Sequence, residues 1–519
     1  MYAERDAGMD LLISRMWLMH RSAIHCKLSG GVGAAIEIKN AVPIIHGPSG
    51  CAYNHRIPVQ QSWLDTEVLP TTALTEKETV LGGNDRLRDT ILEVDRNYHP
   101  ELIIVLLSCV SGIIGDDVKG EIFHLKNTDQ VKADMVVVDT SGFKHRDFRD
   151  WIETAIKNVI HNYKHPEDYK PFPIEGCGQA EVLTALAGQL MEDPDANGGV
   201  IEHGVNLCGG NRAWDAGALE EKIDILTEIG ATINAIFFAN LTADKIKNAP
   251  RAELNVVQRP GDWVKIMNKR FGTEFVHEDI FSTRSLPYQE RIRTFYTSIG
   301  EKLGLEKETE AVIDRRLAKL EADLEPYREK LDGKHIVMLR GSGMFGGAHE
   351  LISLVLDLGM VVDAISLDYT FLYNKNLSKD VLVQHRKVTV EIFHKMGVDS
   401  DVLLETPIEK EEAVIKEFKP DIVVTTHERK WIPHSLGIPA YSREVHRFLG
   451  QFENVLETAK ELCIELNRKN LAVKRPYIFQ ALEYDPVRYP YTKKSSASIR
   501  AGEAMQFVKT SKSSAVGKR

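Results

Sequence analysis

Residues Leu102–Leu107 read L-I-I-V-L-L, six apolar residues in a row closed by Ser108. The run is too short for a core helix and shows no polar alternation, so it describes a strand buried on both faces. Met135–Val138, Ala235–Phe238, Ile336–Leu339 and Ile422–Val424 are similar runs. Stretches with helical periodicity, such as Leu87–Tyr98 and Ala348–Leu358, lie between them. Alternation of this kind requires parallel sheets covered by helices, an α/β fold. Ligands of such sheets bind beyond the carboxyl ends of the strands.

A chain of 519 residues exceeds one ordinary core, and two to four domains are expected. The Pro-, Gly- and charge-rich stretch 161–199 and the charged helical run 306–334 mark two breaks. They divide the chain into α/β units at 1–195, 196–330 and 331–480, followed by an extended tail over 481–519. The tail is Ser/Lys-rich and locally basic, with few apolar residues to bury, and reads as a flexible arm or a strap over a partner. A net charge of −10 speaks against nucleic acid as the main partner. No run approaches the roughly 18 apolar residues of a membrane span. The first residues lack the basic and apolar regions of a signal peptide, and sparse cysteine suits a reducing cytoplasm.

Three of the six cysteines fall in the first quarter of the chain, each in a glycine-containing turn. Cys26 stands in H-C-K-L-S-G-G, Cys51 in H-G-P-S-G-C-A-Y and Cys109 in L-L-S-C-V-S-G-I-I-G-D-D. A single buried cysteine is most simply a small hydrophobe. Three at strand ends, beside glycines that let the backbone approach closely, suit an iron–sulfur cluster. The C-x-x-C pairing typical of structural zinc is missing here. Three thiolates are too few for a four-cysteine cluster, so a second subunit or a non-cysteine ligand must complete the set.

Cys208, in N-L-C-G-G-N-R, also joins an apolar run to a Gly-Gly turn and is a further candidate ligand or cavity thiol, with ordinary packing the plainer reading. Gly341, Gly343 and Gly346 follow the run H-I-V-M-L-R and precede a helical stretch, with Asp363 and Asp368 about 20 residues on, which is the dinucleotide-binding fingerprint.

The ordered motifs H-G-P-S-G-C at 46–51, E-K-E-T-V-L-G-G at 76–83 and S-C-V-S-G-I-I-G-D-D at 108–117 resemble nitrogenase component 1. That family includes the molybdenum–iron protein subunits, the scaffolds that assemble their cofactor, and nitrogenase-like reductases, among them the methylthio-alkane reductases. The resemblance implies three Rossmann-like domains and a homologous sister subunit in an α2β2-type heterotetramer. It implies that Cys26, Cys51 and Cys109 supply half the ligands of an 8Fe–7S, P-cluster-like site at the subunit interface. Ser141, in D-T-S-G-F, stands where one nitrogenase subunit has a serine that can ligate the oxidised cluster, with a turn hydroxyl as the plainer reading. Electrons would come from an ATP-hydrolysing iron protein.

The departures from nitrogenase bear on substrate. The stretch matching the cofactor cysteine reads L-N-V-V-Q-R-P-G-D-W at 254–263, without cysteine. G-I-P-A-Y-S-R-E-V-H at 437–446 leaves His446 as a possible counterpart of the cofactor histidine. The dinitrogen-pocket Gln and His are replaced within G-F-K-H-R-D-F-R-D-W. The resemblance implies that the glycine-rich turn at 341–346 approaches an anionic cofactor cluster rather than binding NAD. The expected role is therefore a subunit of a nitrogenase-like reductase that cleaves a carbon–sulfur bond of a methylthio-alkane, with a second complex iron–sulfur cofactor as a further expectation. The competing roles are a cofactor-assembly scaffold and a dinucleotide oxidoreductase.

Overall fold

The structure is a computed structural model that describes residues 26–468, apart from 62–68, 143–147, 166–167, 169, 171–177, 209–211, 238–240, 258–260, 279–285, 340–347, 368–377, 399–400, 405–407, 426–428 and 443–450. Three parallel sheets organise it. The first has the order β1-β2-β3, from Ala41–His46, Leu102–Leu107 and Asp134–Val138. In the second, β4 (Ile201–Cys208) lies between β5 (Thr232–Phe237) and β6 (Ala252–Val257), with β7 (Glu274–His277) at the edge. The third comprises β8 (His335–Met338), β9 (Val361–Leu367), β10 (Asp401–Leu404), β11 (Ile422–Val424) and β12 (Ala440–Tyr441) in the order β10-β9-β8-β11-β12. Among the described residues, the first two sheets belong to one compact unit, ending at Lys319 but rejoined by 378–388 and 451–453. The third sheet belongs to a second unit that begins at Leu320.

The absence of polar residues from β2 follows from its position. It is the central strand, with Leu102 paired to both Ala41 and Asp134. Leu102, Ile104 and Leu106 point into one apolar cluster, beneath the helices Lys27–Ile36 and Gly178–Gln189. Ile103 and Val105 point into the other, with Leu87, Ile91 and Ile122 from the helices Asn84–Tyr98 and Val118–Asn127. Each of these five side chains is fully buried, a gain of about 1.5–3 kcal/mol apiece before entropy is counted. The edge strand β3 does not leave its backbone bare. Gln189 accepts from the N–H of Val137 at 3.0 Å and donates to its carbonyl at 2.8 Å.

The Gly178–Gln189 helix comes from the stretch whose composition reads as a break. Its sequence, G-Q-A-E-V-L-T-A-L-A-G-Q, is rich in small residues because it packs at close range. A Cβ on Gly178 would fall 1.8 Å from the Lys27 carbonyl oxygen and 2.5 Å from the Gly31 nitrogen. Only glycine permits that approach, which seats the start of the Lys27–Ile36 helix. The charged run 306–334 forms the helix Glu306–Leu331, as its periodicity predicts.

Candidate metal centre

The carboxyl edge of the first sheet gathers the three motif cysteines. Cys26 is the residue that begins the Lys27–Ile36 helix, its carbonyl accepting from Ser29 N at 2.9 Å. Cys51 lies in the first turn of the helix after β1, and Cys109 opens the helix after β2. Those two turns are locked by backbone. Ser108 N donates to the His46 carbonyl at 3.1 Å, and a Cβ on Gly47 would lie 2.4 Å from Ser108 Oγ. Ser108 in turn caps the Cys109 helix by accepting from Ser111 N at 3.3 Å. The glycine before Pro48 is thus required by contact between neighbouring crossovers.

The thiols form one electrostatic group. Burial pushes the Cys51 thiol above its ordinary value, and the charges of Cys26 and Cys109 push it further the same way. Three thiolates brought together repel one another, and bound cations remove that repulsion. Cys26 and Cys51 are half-buried and Cys109 is exposed, so the group opens at the surface. Among the described residues, no three His, Cys, Asp or Glu side chains are disposed to hold one metal ion.

Ser141 follows β3 at the same edge. It is fully buried, its hydroxyl donates to Asp139 Oδ1, and its backbone N–H reaches the same oxygen at 3.1 Å. This is the turn-hydroxyl arrangement. The next residue, Gly142, lies against the cysteine group, since a Cβ there would be 3.8 Å from Cys109 Sγ. Cys208, at the end of β4, is 4% exposed among Phe237, Val257 and Trp263, and burial pushes its thiol well above the ordinary value. Apolar packing accounts for it. Gly341, Gly343, Gly346 and His446 lie outside the described residues.

Beneath the cysteine turns sits a polar bolt that the sequence motifs contain but do not reveal. His46, fully buried, pairs through Nε2 with Asp116 Oδ2 at 2.9 Å and through Nδ1 with Thr72 Oγ1 at 3.1 Å. Asp116 Oδ1 accepts from Gly83 N at 2.8 Å, and Thr72 Oγ1 accepts from Gly47 N at 3.0 Å. Desolvation pulls the His46 pKa down against the opposing pull of Asp116. The three motifs at 46–51, 76–83 and 108–117 are therefore parts of one structure. Its partners lie 70 residues apart, so no local pattern announces them.

His55 was also not foreseen. It is 4% exposed, and its Nδ1 has no hydrogen-bond partner among the described residues. Burial pulls its pKa down to about 4, leaving the ring neutral. Exposed apolar side chains lie on the same helices and their neighbour: Tyr53 at 68% on the Cys51 helix, Ile113 at 68% on the Cys109 helix, and Val80 at 82% and Leu81 at 74% on Glu76–Leu81. Val80 and Leu81 end the helix Glu76–Leu81, which packs against the Cys109–Ile114 helix. Exposed apolar residues on adjoining helices suit a protein-binding face.

Parallel sheets covered by helices, with three cysteines beside the carboxyl edge of the first, define an α/β protein. The family model for nitrogenase component 1 type oxidoreductases matches residues 26–460, and the chain belongs to that family. It is 26% identical over 462 residues to the nitrogenase molybdenum-iron protein alpha chain of Methanothermobacter marburgensis, covering 84% of this chain and 86% of that protein. It is 26% identical over 434 residues to the nitrogenase iron-molybdenum cofactor biosynthesis protein NifE of Methanococcus maripaludis, covering 80% and 77%. The solved structure of nitrogenase Cp1 at pH 5 has the same fold, with a TM-score of 0.55 at 19% identity, over 85% of this chain and 88% of that one. The chain is accordingly a nitrogenase-like subunit of oxidoreductase type or an assembly scaffold. No helix among the described residues is long and apolar enough to cross a membrane.

Proposed function

We propose that this chain is one subunit of a nitrogenase-like reductase, in which Cys26, Cys51 and Cys109 hold half of an interface P-cluster-like 8Fe–7S site. The observation that carries this reading is the placement of the three motif cysteines at the starts of three helices beside the first sheet, where Cys26 and Cys109 act on the Cys51 thiol. Three neighbouring thiols, one exposed and two half-buried, are too few for a complete cluster and are suited to completion by a partner with similar ligands. When bound, such a cluster stores and relays single electrons.

The protein's own residues fix the ligands in place. Gly47 and Ser108 set the spacing between the Cys51 and Cys109 turns, and Gly178 seats the helix that Cys26 begins. The His46–Asp116 pair ties both crossovers to Gly83, so the ligands need not reorganise as charge changes. The surface formed by Tyr53, Val80, Leu81 and Ile113 receives the sister subunit and the ATP-hydrolysing iron protein, and excludes water from the relay.

The substrate we assign is the thioether of a methylthio-alkane, supported by the loss of the cofactor cysteine within 254–263 and of the dinitrogen-pocket residues. Its reductive cleavage takes two electrons and two protons and yields an alkane and methanethiol. The alternative is a cofactor-assembly scaffold. It is favoured by the equal identity of the chain to a NifE protein and to an alpha chain. The test is anaerobic co-purification with the sister subunit, followed by incubation with the cognate iron protein, ATP and ethyl methyl sulfide. ATP-dependent release of methanethiol supports the reductase. Transfer of iron to an apo-acceptor without turnover supports the scaffold, and an iron-free protein contradicts both.

A further inference from the structure

His55 stands one helical turn beyond Cys51 in the Ser49–Gln61 helix. The two lie on the helix's inner face: Cys51 is half-buried, Ala52 and His55 are buried, and Tyr53 and Asn54 are exposed. That inner face is the one available to the Lys27–Ile36 helix, which packs against it and which Cys26 begins. Side chains on a helix lean toward its N-terminus, which from His55 is the direction of the turn that carries Cys51.

The ring is uncharged and so carries one N–H donor and one acceptor nitrogen. Its Nδ1 is sealed from solvent without a hydrogen-bond partner among the described residues, although the ring is only 4% exposed. Buried polar nitrogens in native proteins are paired, and one left unpaired points to an absent partner. The acceptor that the proposed site would supply is sulfur, from the Cys51 thiolate one turn away in sequence or from a sulfide of the cluster it would hold.

We propose that His55 Nδ1–H donates an outer-sphere hydrogen bond to the sulfur of the cluster edge held by Cys51, making His55 a positioning residue that raises the cluster's reduction potential. The inference rests on the cluster reading above. Donors to cluster sulfurs stabilise the more reduced, more negative state, so their loss shifts the potential downward. Direct ligation is a different role: it would bring the ring nitrogen onto iron and displace a thiolate.

The test uses the anaerobically purified complex, with histidine labelled in 15N, and compares wild type, His55→Leu and His55→Gln. Pulsed electron paramagnetic resonance of the cluster reads nitrogen coupling, redox titration reads the midpoint potential, and iron analysis reads occupancy. The expected result is a weak nitrogen coupling in wild type that disappears in both variants. The midpoint should be more negative in His55→Leu, with His55→Gln, which keeps an N–H donor, lying between. If His55→Leu fails to fold, the coupling in wild type and the potential of His55→Gln decide. Full iron with no nitrogen coupling and an unchanged potential would overturn this inference alone. A strong coupling of a bonded nitrogen would overturn it in favour of ligation. A wild-type complex without iron would overturn the cluster reading as well.

Discussion

Replacing Gly178 by Ala should damage the cysteine site from outside it. The new Cβ would stand 1.8 Å from the Lys27 carbonyl oxygen, whereas ordinary contact begins at 3.4 Å. The two helices must therefore separate by up to 1.6 Å. Both opposing atoms belong to backbone, so no rotamer change relieves the clash. Overpacking of this kind costs about 1–3 kcal/mol, and the rigidity of both partners places the expected loss at about 3 kcal/mol. The separation also displaces the start of the Lys27–Ile36 helix, and with it Cys26. Gly188, in the same helix, provides the control. Nothing lies within 4 Å of its Cβ position, so Gly188→Ala should stabilise the helix by up to about 1 kcal/mol. Urea denaturation of both variants measures the difference, and iron analysis measures the site. Equal stability of Gly178→Ala and Gly188→Ala, with full iron in both, would refute the reasoning.

Other consequences follow from buried polar groups. Asp116→Ala strands His46 Nε2 and Gly83 N and should lower stability by about 3 kcal/mol in thermal unfolding, with Asp116→Asn milder. Glu221 has its pKa raised to about 7, chiefly by burial, from an ordinary 4.5. The folded state therefore holds a proton that the unfolded state has lost, and stability falls as pH rises through that window. Glu221→Gln keeps the acceptor for Glu453 N, at 3.0 Å, and should match wild type near pH 4.5 while exceeding it by about 2 kcal/mol at pH 8. His385 behaves oppositely. Burial holds it neutral down to about 4 against 6.5 when unfolded, so stability should fall by about 2–3 kcal/mol from pH 6.5 to pH 4. His385→Gln should flatten that slope in pH-dependent melts.

The fold was legible wherever burial demanded uninterrupted apolar sequence. Leu102–Leu107 and Ile422–Val424 are strands with the limits that their runs suggest. The strand expected at Ala235–Phe238 begins earlier, at Thr232, because Asn234 is polar yet satisfied inside the sheet. It donates to Asn206 Oδ1 at 2.9 Å, and Asn206 donates to Asn255 Oδ1 at 2.9 Å. A ladder of asparagines across neighbouring strands hides a buried strand from any reading based on hydropathy. The Gly178–Gln189 helix was obscured for a related reason, since small residues chosen for close approach resemble linker composition.

At the site, the cysteines were visible because few residue types do what thiolates do. The His46–Asp116 pair and the orphaned nitrogen of His55 were not, because both depend on three-dimensional neighbours. A histidine beside a glycine turn is common in sequence. Only burial shows that its ring nitrogens must be accounted for.

The most direct test of the central claim is iron and sulfide analysis of the anaerobically purified complex, comparing wild type with Cys51→Ala. The account predicts about eight irons per subunit pair at the interface in wild type, and loss of the interface cluster in Cys51→Ala. Unchanged iron in the variant would contradict it.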